Sequence, residues 1–478
     1  MSPLRFSTLA SGRRVAWRAA GTGPAVLLLH GSPQSSKAVA VLGEAVAAAG
    51  FCAIMPDTPG AGFSAPLVVD KLTITELGVG LREFCDALGL GRVAIYGSHT
   101  GAAIGCVFAS LYPERVAGLI FDGIGAWNDA ERAVYVTDYA PPFLPVWDGS
   151  HLTWLWGRME AQSLFFPWSR REPATWRGVD LSAPGHLHRN AMDMLNCGNA
   201  YRDIYLASLA FDPAEFLPRV SGARMILARS DVLLTHATRP ALAHLPVTVC
   251  ADVPGVYAAV VAALAEMPGD EAPALPAPGP FWRGTLGGAE RPLVLLHGAG
   301  ASSRVFEGML AELAGPVIAL DLPGHGFDES EMPGDAAAVA AIIAAQCAAL
   351  GLTDYAVAGT RFGGVIAAML GGADLVPRNT DPELAAQGAV SLAPVWDGTH
   401  LQRAWQVATR LAIFDPWYRT QADCARADML ALEPEAIHAA ALDLLRAGPA
   451  WEIANRIEAA GGAAAAVLTA ERLSRRSF

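Results

Sequence analysis

The chain has 478 residues, 53% of them hydrophobic and 17% charged, with a formal net charge of −12. That length and apolarity exclude a disordered chain and a single ordinary core, and require two domains of roughly 200–270 residues. The negative charge excludes a basic, sequence-independent grip on nucleic acid. The 7 cysteines are odd in number and form no Cys-x-x-Cys pair, as expected of a reducing, cytoplasmic compartment.

The opening residues, MSPLRFSTLASGRRVAWRAAG, lack the apolar core of a secretory signal. An apolar run ending in His-Gly follows, VLLLHG (Val26–Gly31), and leads into small polar residues and a helical pattern. IMPDTPGAGFS (Ile54–Ser64) reads as a strand entering a turn, where Asp57 is expected to bond local backbone. Thr75 to Leu88 has helical spacing and stops at Gly89, before VAIYGSHTGAAIG (Val93–Gly105). Apolar runs alternating with helix-length segments predict a mostly parallel sheet flanked by helices. Residues 128–216 are aromatic-rich, helix-like and outside that alternation, and read as a cap over the C-terminal edge of the sheet.

Within that cap, PVWDGSHL (Pro145–Leu152) spaces Asp148 and His151 three apart, on one face of a helix. Two readings stay open. Asp148 or Ser150 caps the helix while Trp147 packs as a staple, or His151 overhangs the substrate pocket as a base. His186, His188 and Asp193 show no His-Glu-x-x-His or similar pattern, so no metal is expected. No Gly-rich phosphate loop occurs, and no cofactor is implied.

The second half repeats the first. VLLHG (Val294–Gly298), IALDLPGHGFDES (Ile318–Ser330), YAVAGTRFGGVIA (Tyr355–Ala367) and PVWDGTHL (Pro394–Leu401) recur in the same order, as do PWYRT from Pro416 and HAAALDLLRAGPAW from His438. Six ordered matches mark a duplication. The expected domains are 1–266, a Pro/Ala-rich linker 267–280, and a shortened second copy 281–478 with its cap at 394–455. The apolar stretch Ala336–Leu350 is too short to span a bilayer.

These landmarks resemble the α/β-hydrolase superfamily over nearly the whole chain. They are His30-Gly31, the turn at Asp57, and Gly97-Ser98-His99-Thr100-Gly101, which has the Gly-x-nucleophile-x-Gly spacing of a nucleophile elbow. HGSPQSS (His30–Ser36) is similar to the oxyanion segment of capped hydrolases of the haloalkane dehalogenase and epoxide hydrolase type. The resemblance implies two tandem α/β domains with helical caps, an oxyanion role for Ser32 and Thr100, and triad-carboxylate positions at Asp231 and, in the second copy, Glu471.

The chain departs from that pattern where the chemistry is done. His99 holds the nucleophile position, with Ser98 one residue early and expected to turn away from the pocket. Arg361 holds it in the second copy, and a guanidinium has no nucleophilic lone pair. Arg361 either binds an anion or makes a structural ion pair. The catalytic histidine expected after the last strand is replaced by Val256 and Tyr257. A histidine beneath a helix N-terminus is expected to have a lowered pKa and to act as a base or, failing that, a nucleophile.

Three functions follow from these residues. One is a hydrolase of a small apolar ester, thioester, epoxide or C–C substrate, using His99 with Asp231 as its orienting carboxylate. Another is a lyase or isomerase with His99 as general base. The last is a non-catalytic binding or scaffold protein. A small-molecule partner is expected, without nucleic acid or membrane, and with the two halves docked as a pseudo-dimer and homo-oligomerisation open. Small-angle scattering from the full chain should then fit one compact particle, and two freely moving lobes would contradict the docking.

Overall fold

The apolar runs that precede His30 and His99 are the two central strands of a sheet. A computed structural model of the chain describes residues 2–379, 381, 383–384, 390–426, 432–462 and 467. Its contacts divide the chain into two units, Met1–Leu144 with Gly157–Pro278, and Pro145–Trp156 with Gly279–Phe478. Each is a mostly parallel sheet flanked by helices, as the sequence predicts.

In the first unit the strands are Leu4–Thr8 (β1), Arg14–Ala20 (β2), Ala25–Leu29 (β3), Cys52–Pro56 (β4), Val93–Ser98 (β5), Val116–Asp122 (β6), Ala223–Ala228 (β7) and Val247–Cys250 (β8). Their order across the sheet is β1-β2-β4-β3-β5-β6-β7-β8. β2 runs antiparallel to both of its neighbours, β1 and β4, and the remaining strands pair in parallel. Every residue of β3 and β4 is buried, the pattern of strands covered on both faces. From β3 the chain crosses to β4 on one side and then to β5 on the other. The crevice outside the carboxyl ends of β3 and β5 is therefore a switch point of the winding, where open α/β sheets bind ligands.

The flanking helices are Ala40–Ala48 (α1), Ile74–Ala87 (α2), Thr100–Leu111 (α3) and, near the end of the unit, Val253–Leu264. α2 starts at Thr73, which accepts from the Glu76 N–H, and buries Leu77, Leu81, Phe84 and Cys85. α3 is built of small residues and is almost wholly buried. Between β6 and β7 along the chain come the helices Asp129–Asp138, Ser150–Leu164 (which belongs to the second unit as far as Trp156), Pro184–Cys197 and Ala200–Ala210. Tyr139, Ala161 and Trp168 form a small core there, with Tyr135, Phe166 and Tyr205 packed against it.

The segment expected to be a linker behaves differently in its first half. Met267 is buried against Gly118, and Asp270 bonds backbone on two strands: its N–H donates to the Arg92 carbonyl (2.6 Å) and its carbonyl accepts from Ala25 (2.9 Å). These are polar groups finding partners at the sheet's amino end, which a spacer of that composition does not predict.

The second unit has a sheet of Trp282–Thr285 (β9), Leu293–Leu296 (β10), Val317–Leu320 (β11), Ala356–Gly359 (β12) and Ala373–Asp374 (β13), ordered β13-β12-β10-β11-β9. These correspond to β2 through β6 of the first unit. Glu471 lies outside the described residues.

Both units keep the elbow. His99 (φ 49, ψ −106) and Arg361 (φ 54, ψ −119) are the described non-glycine residues at positive φ, each between a strand and a helix. The turn closes so tightly that a Cβ on Gly97 would lie 2.5 Å from the Ala102 nitrogen, and one on Gly101 2.3 Å from the Leu29 carbonyl oxygen. Backbone cannot yield as a side-chain tip does. Gly101→Ala should therefore destabilise the first unit by about 1–3 kcal/mol, read as a lower urea midpoint. An unchanged midpoint would show that the turn is not so constrained.

Candidate active site

A non-glycine residue held at positive φ costs free energy that surrounding contacts must offset. At His99 those contacts are visible. Its N–H donates to the carbonyls of Asp122 (3.2 Å) and Gly123 (3.0 Å) at the end of the neighbouring strand, β6. Its imidazole Nε2 lies 2.9 Å from Asp231 Oδ2. Asp231 sits in the loop after β7, and its Oδ1 accepts from the Leu233 N–H at 2.7 Å. Gly123 packs flat against the ring, since a Cβ there would lie 2.9 Å from His99 Cδ2.

The bond to a carboxylate fixes the tautomer: Nε2 carries the proton and donates it to Asp231. Nδ1 is left as the lone pair. It takes no partner among the described residues and is not sealed by protein, and 36% of the side chain is accessible.

Two adjoining cavities meet on His99. One is walled by aromatic rings, including Trp127, Tyr135, Tyr139, Phe166 and Tyr205. The other, of about 340 Å³, is more polar and includes Gln34, Asp122, Arg177, Asn190 and Asp231. Ser32 and Thr100 line the aromatic cavity beside His99. The N–H of Thr100, first residue of α3, and the N–H of Ser32 take no acceptor among the described residues. Tyr205 donates to the Ser32 carbonyl at 2.8 Å, tethering Ser32 through the peptide that follows it. Ser98 also lines the polar cavity, so the turn does not remove it from the site as expected.

The charge state of His99 corrects the sequence reading. Burial by itself would lower its pKa, but the charge and hydrogen bond of Asp231, with Asp122 adding, raise it above the ordinary 6.5. The carboxylate brought in after β7 outweighs burial of the ring. For Asp231, burial pushes up while His99 and the Leu233 N–H pull down, and the net shift is downward. The raised imidazole contributes stability below its ordinary value, lost as pH rises through the raised one. The depressed carboxyl contributes above its ordinary value, lost as pH falls through the depressed one. The ion pair is complete between those limits.

The repeated cap motif does not serve this site. Trp147, Asp148 and His151 belong to the second unit. Trp147 is 78% exposed rather than packed as a staple. Asp148 is a surface residue whose Oδ1 accepts from the Ser150 N–H (2.9 Å), starting the helix. His151 is buried, with Nδ1 accepting from Val146 N–H (3.2 Å), Nε2 3.0 Å from His438 Nδ1, and Trp405 edge-on at 5.0 Å. Packing against those rings uses the imidazole that the sequence offered as an overhanging base. Arg361 is ion-paired with Asp415, and the Glu458 carboxyl accepts from Phe362 N–H, the residue matching Thr100. His186 is exposed to Arg189, and no cluster of three or more metal-ligating side chains occurs among the described residues.

Sequence reasoning passed over Asp122, Gly123, Tyr139 and Arg177. Asp122 alone left a trace, as the acidic end of the apolar run VAGLIFD.

The family described as the alpha/beta hydrolase fold matches residues 24–145 and 291–411, one stretch in each copy. Among curated proteins, 2-hydroxy-6-oxo-6-phenylhexa-2,4-dienoate hydrolase of Burkholderia cepacia is 34% identical over 119 residues, 24% of this chain and 41% of its own. Bifunctional epoxide hydrolase 2 of Sus scrofa is 35% identical over 97 residues, 20% of this chain and 18% of its own. The chain thus spans less than half the length of the curated relatives it matches. Among solved structures, epoxide hydrolase A from Mycobacterium thermoresistibile is 20% identical with a TM-score of 0.45, covering 55% of this chain and 98% of that one. No described helix is long and apolar enough to cross a membrane.

Proton NMR titration tests the dyad. His99 should titrate above 6.5 in the wild type, and Asp231→Asn should bring its midpoint down. An unmoved midpoint would mean that Asp231 does not govern the ring.

Proposed function

The chain belongs to the α/β-hydrolase fold family, and on that premise we propose that its first unit is a hydrolase in which His99 is a general base acting on water. The observation that carries this reading is the orientation of the ring. Nε2 is occupied by Asp231, while Nδ1 takes no partner among the described residues and is not sealed by protein, on a ring that lines both cavities. A serine or aspartate elbow would attack its substrate directly. Here the side chain at the elbow is already held by a carboxylate, as a base is, and water supplies the nucleophile.

In this reading Nδ1 takes a proton from water as the water oxygen bonds to the substrate carbonyl carbon. The resulting oxyanion is met by the N–H groups of Thr100 and Ser32. These are main-chain donors, so they survive replacement of the nucleophile. Asp231 keeps the ring in its tautomer and stabilises the imidazolium that forms. The aromatic wall suits the apolar part of a small substrate, and the polar cavity suits its carbonyl end. Esters and thioesters fit that description. Epoxides and carbonyl-activated C–C bonds join them because the relatives named above include an epoxide hydrolase and a hydrolase of an oxo-dienoate.

The same base and the same pair of N–H groups also serve proton abstraction next to a carbonyl, with no nucleophile required. Wash-in of deuterium from solvent into unreacted ketone would favour that second reading.

The test is turnover of wild type, His99→Ala and Ser98→Ala on p-nitrophenyl esters, thioesters, epoxides and 1,3-diketones. His99→Ala should lose about 10²–10⁴-fold, while Ser98→Ala keeps most of its activity. On the activated ester the wild-type rate should rise with pH through the raised pKa of His99, since only the neutral ring is a base. Activity that survives in His99→Ala and disappears in Ser98→Ala would overturn the reading in favour of a serine nucleophile.

A further inference from the structure

Asp122 shares the cavity with the His99–Asp231 pair and is hydrogen-bonded to neither. It ends β6 in register with Ser98 of β5, one strand from the elbow. It lines the same cavity of about 340 Å³ as His99 and Asp231. Its Oδ2 accepts from the Tyr96 hydroxyl at 2.5 Å, while Oδ1 takes no partner among the described residues and is not sealed by protein. The titratable groups facing it are Tyr96 from β5, His99 at the elbow, Asp231 after β7 and Tyr257 from the helix Val253–Leu264. None of these is a permanent cation, and Arg177, which lines the same cavity, bears on His99 and Asp231. In the second unit the acidic residue ending the strand beside the elbow, Asp374, is instead locked to Arg378 by two bonds (2.8 and 3.0 Å).

Hydrolysis removes one proton from water and must deliver another to the leaving group. A base alone does half of that work. We propose that Asp122 is the proton donor to the leaving group, an assignment that rests on His99 being the base. Burial, with the charge of Asp231 adding, pushes its carboxyl up to about 6, against the pull of the Tyr96 hydrogen bond. The two carboxylates in one cavity are thereby split, one ionised beside the imidazole and one ready to hold a proton.

For an ester the steps balance as follows. Water loses a proton to His99 Nδ1 while its oxygen bonds to the carbonyl carbon. The C–O bond to the leaving group then breaks, and the proton on Asp122 moves to the departing oxygen, giving the alcohol. The imidazolium returns its proton to Asp122 through solvent, and the carboxylic acid departs. Working catalyst therefore needs one proton shared between the two side chains. The rate on a substrate with a poor leaving group should be bell-shaped in pH, rising near 6 and falling above the raised pKa of His99. A good leaving group needs no proton and gives no falling limb.

The experiment compares ethyl and p-nitrophenyl esters of one acyl group, across pH, in wild type, Asp122→Asn and His99→Ala. Asp122→Asn should lose on the order of 10²-fold on the ethyl ester, about tenfold more than on the p-nitrophenyl ester, and its bell should become a simple rise. Equal losses on both esters with the bell retained would overturn the role of Asp122 and leave His99 standing. Undiminished turnover in His99→Ala would overturn the base reading itself. The wild type alone decides the matter should Asp122→Asn not fold. Across a series of alkyl and aryl esters its rate should depend weakly on leaving-group pKa, and a steep dependence would exclude an internal acid.

Discussion

The site depends on a single hydrogen bond, the 2.9 Å contact between His99 Nε2 and Asp231 Oδ2. The bond joins the strand–helix turn after β5 to the loop after β7. It settles which nitrogen carries the proton, sets the direction of the pKa shift, and leaves the other nitrogen without a partner among the described residues. Remove the carboxylate and the ring is only a bulky residue in a strained turn. With it in place, the imidazole of a residue that the backbone holds at φ 49 is oriented by a carboxylate. Val253 and Val256 line the polar cavity as well.

The second copy shows the same backbone put to another use. Its elbow keeps the glycine constraints and a positive φ, yet Arg361 is paired with Asp415 and Glu458 sits at the first N–H of the following helix. A guanidinium at the nucleophile position and an internal carboxyl at the N–H group leave that unit without the base and free donors found in the first. Burial pushes Glu458 up to about 7, so the group filling the position is partly neutral near neutrality. The two elbows thus differ in what each is bonded to.

Much of this was legible in the sequence because the constraints are local. The Gly-x-x-x-Gly elbows are required by close backbone approach, as at Gly97 against its own turn, and the six repeated segments show themselves when one half is set beside the other. Asp231 was legible by its place after a strand. What escaped depends on distance along the chain. The pKa of His99 moved opposite to expectation because the helix terminus adjoins it, whereas Asp231 lies 132 residues away. Asp122 looks like any acidic strand end until burial and a neighbouring charge raise it. The repeated motif at Trp147, Asp148 and His151 drew attention as chemistry. Its repetition reflects packing, since His151 is buried against His438 and Trp405. Half of the proline-rich linker forms hydrogen bonds to the sheet end that composition cannot reveal.

The most direct test is a crystal structure of the protein with a trifluoromethyl ketone analogue of a responding ester. Such a ketone adds whatever nucleophile the site provides. The account predicts a bound hydrate with no covalent bond to protein, one oxygen against the N–H groups of Thr100 and Ser32 and the other against His99 Nδ1. A covalent adduct on Ser98, or on the His99 ring itself, would contradict it.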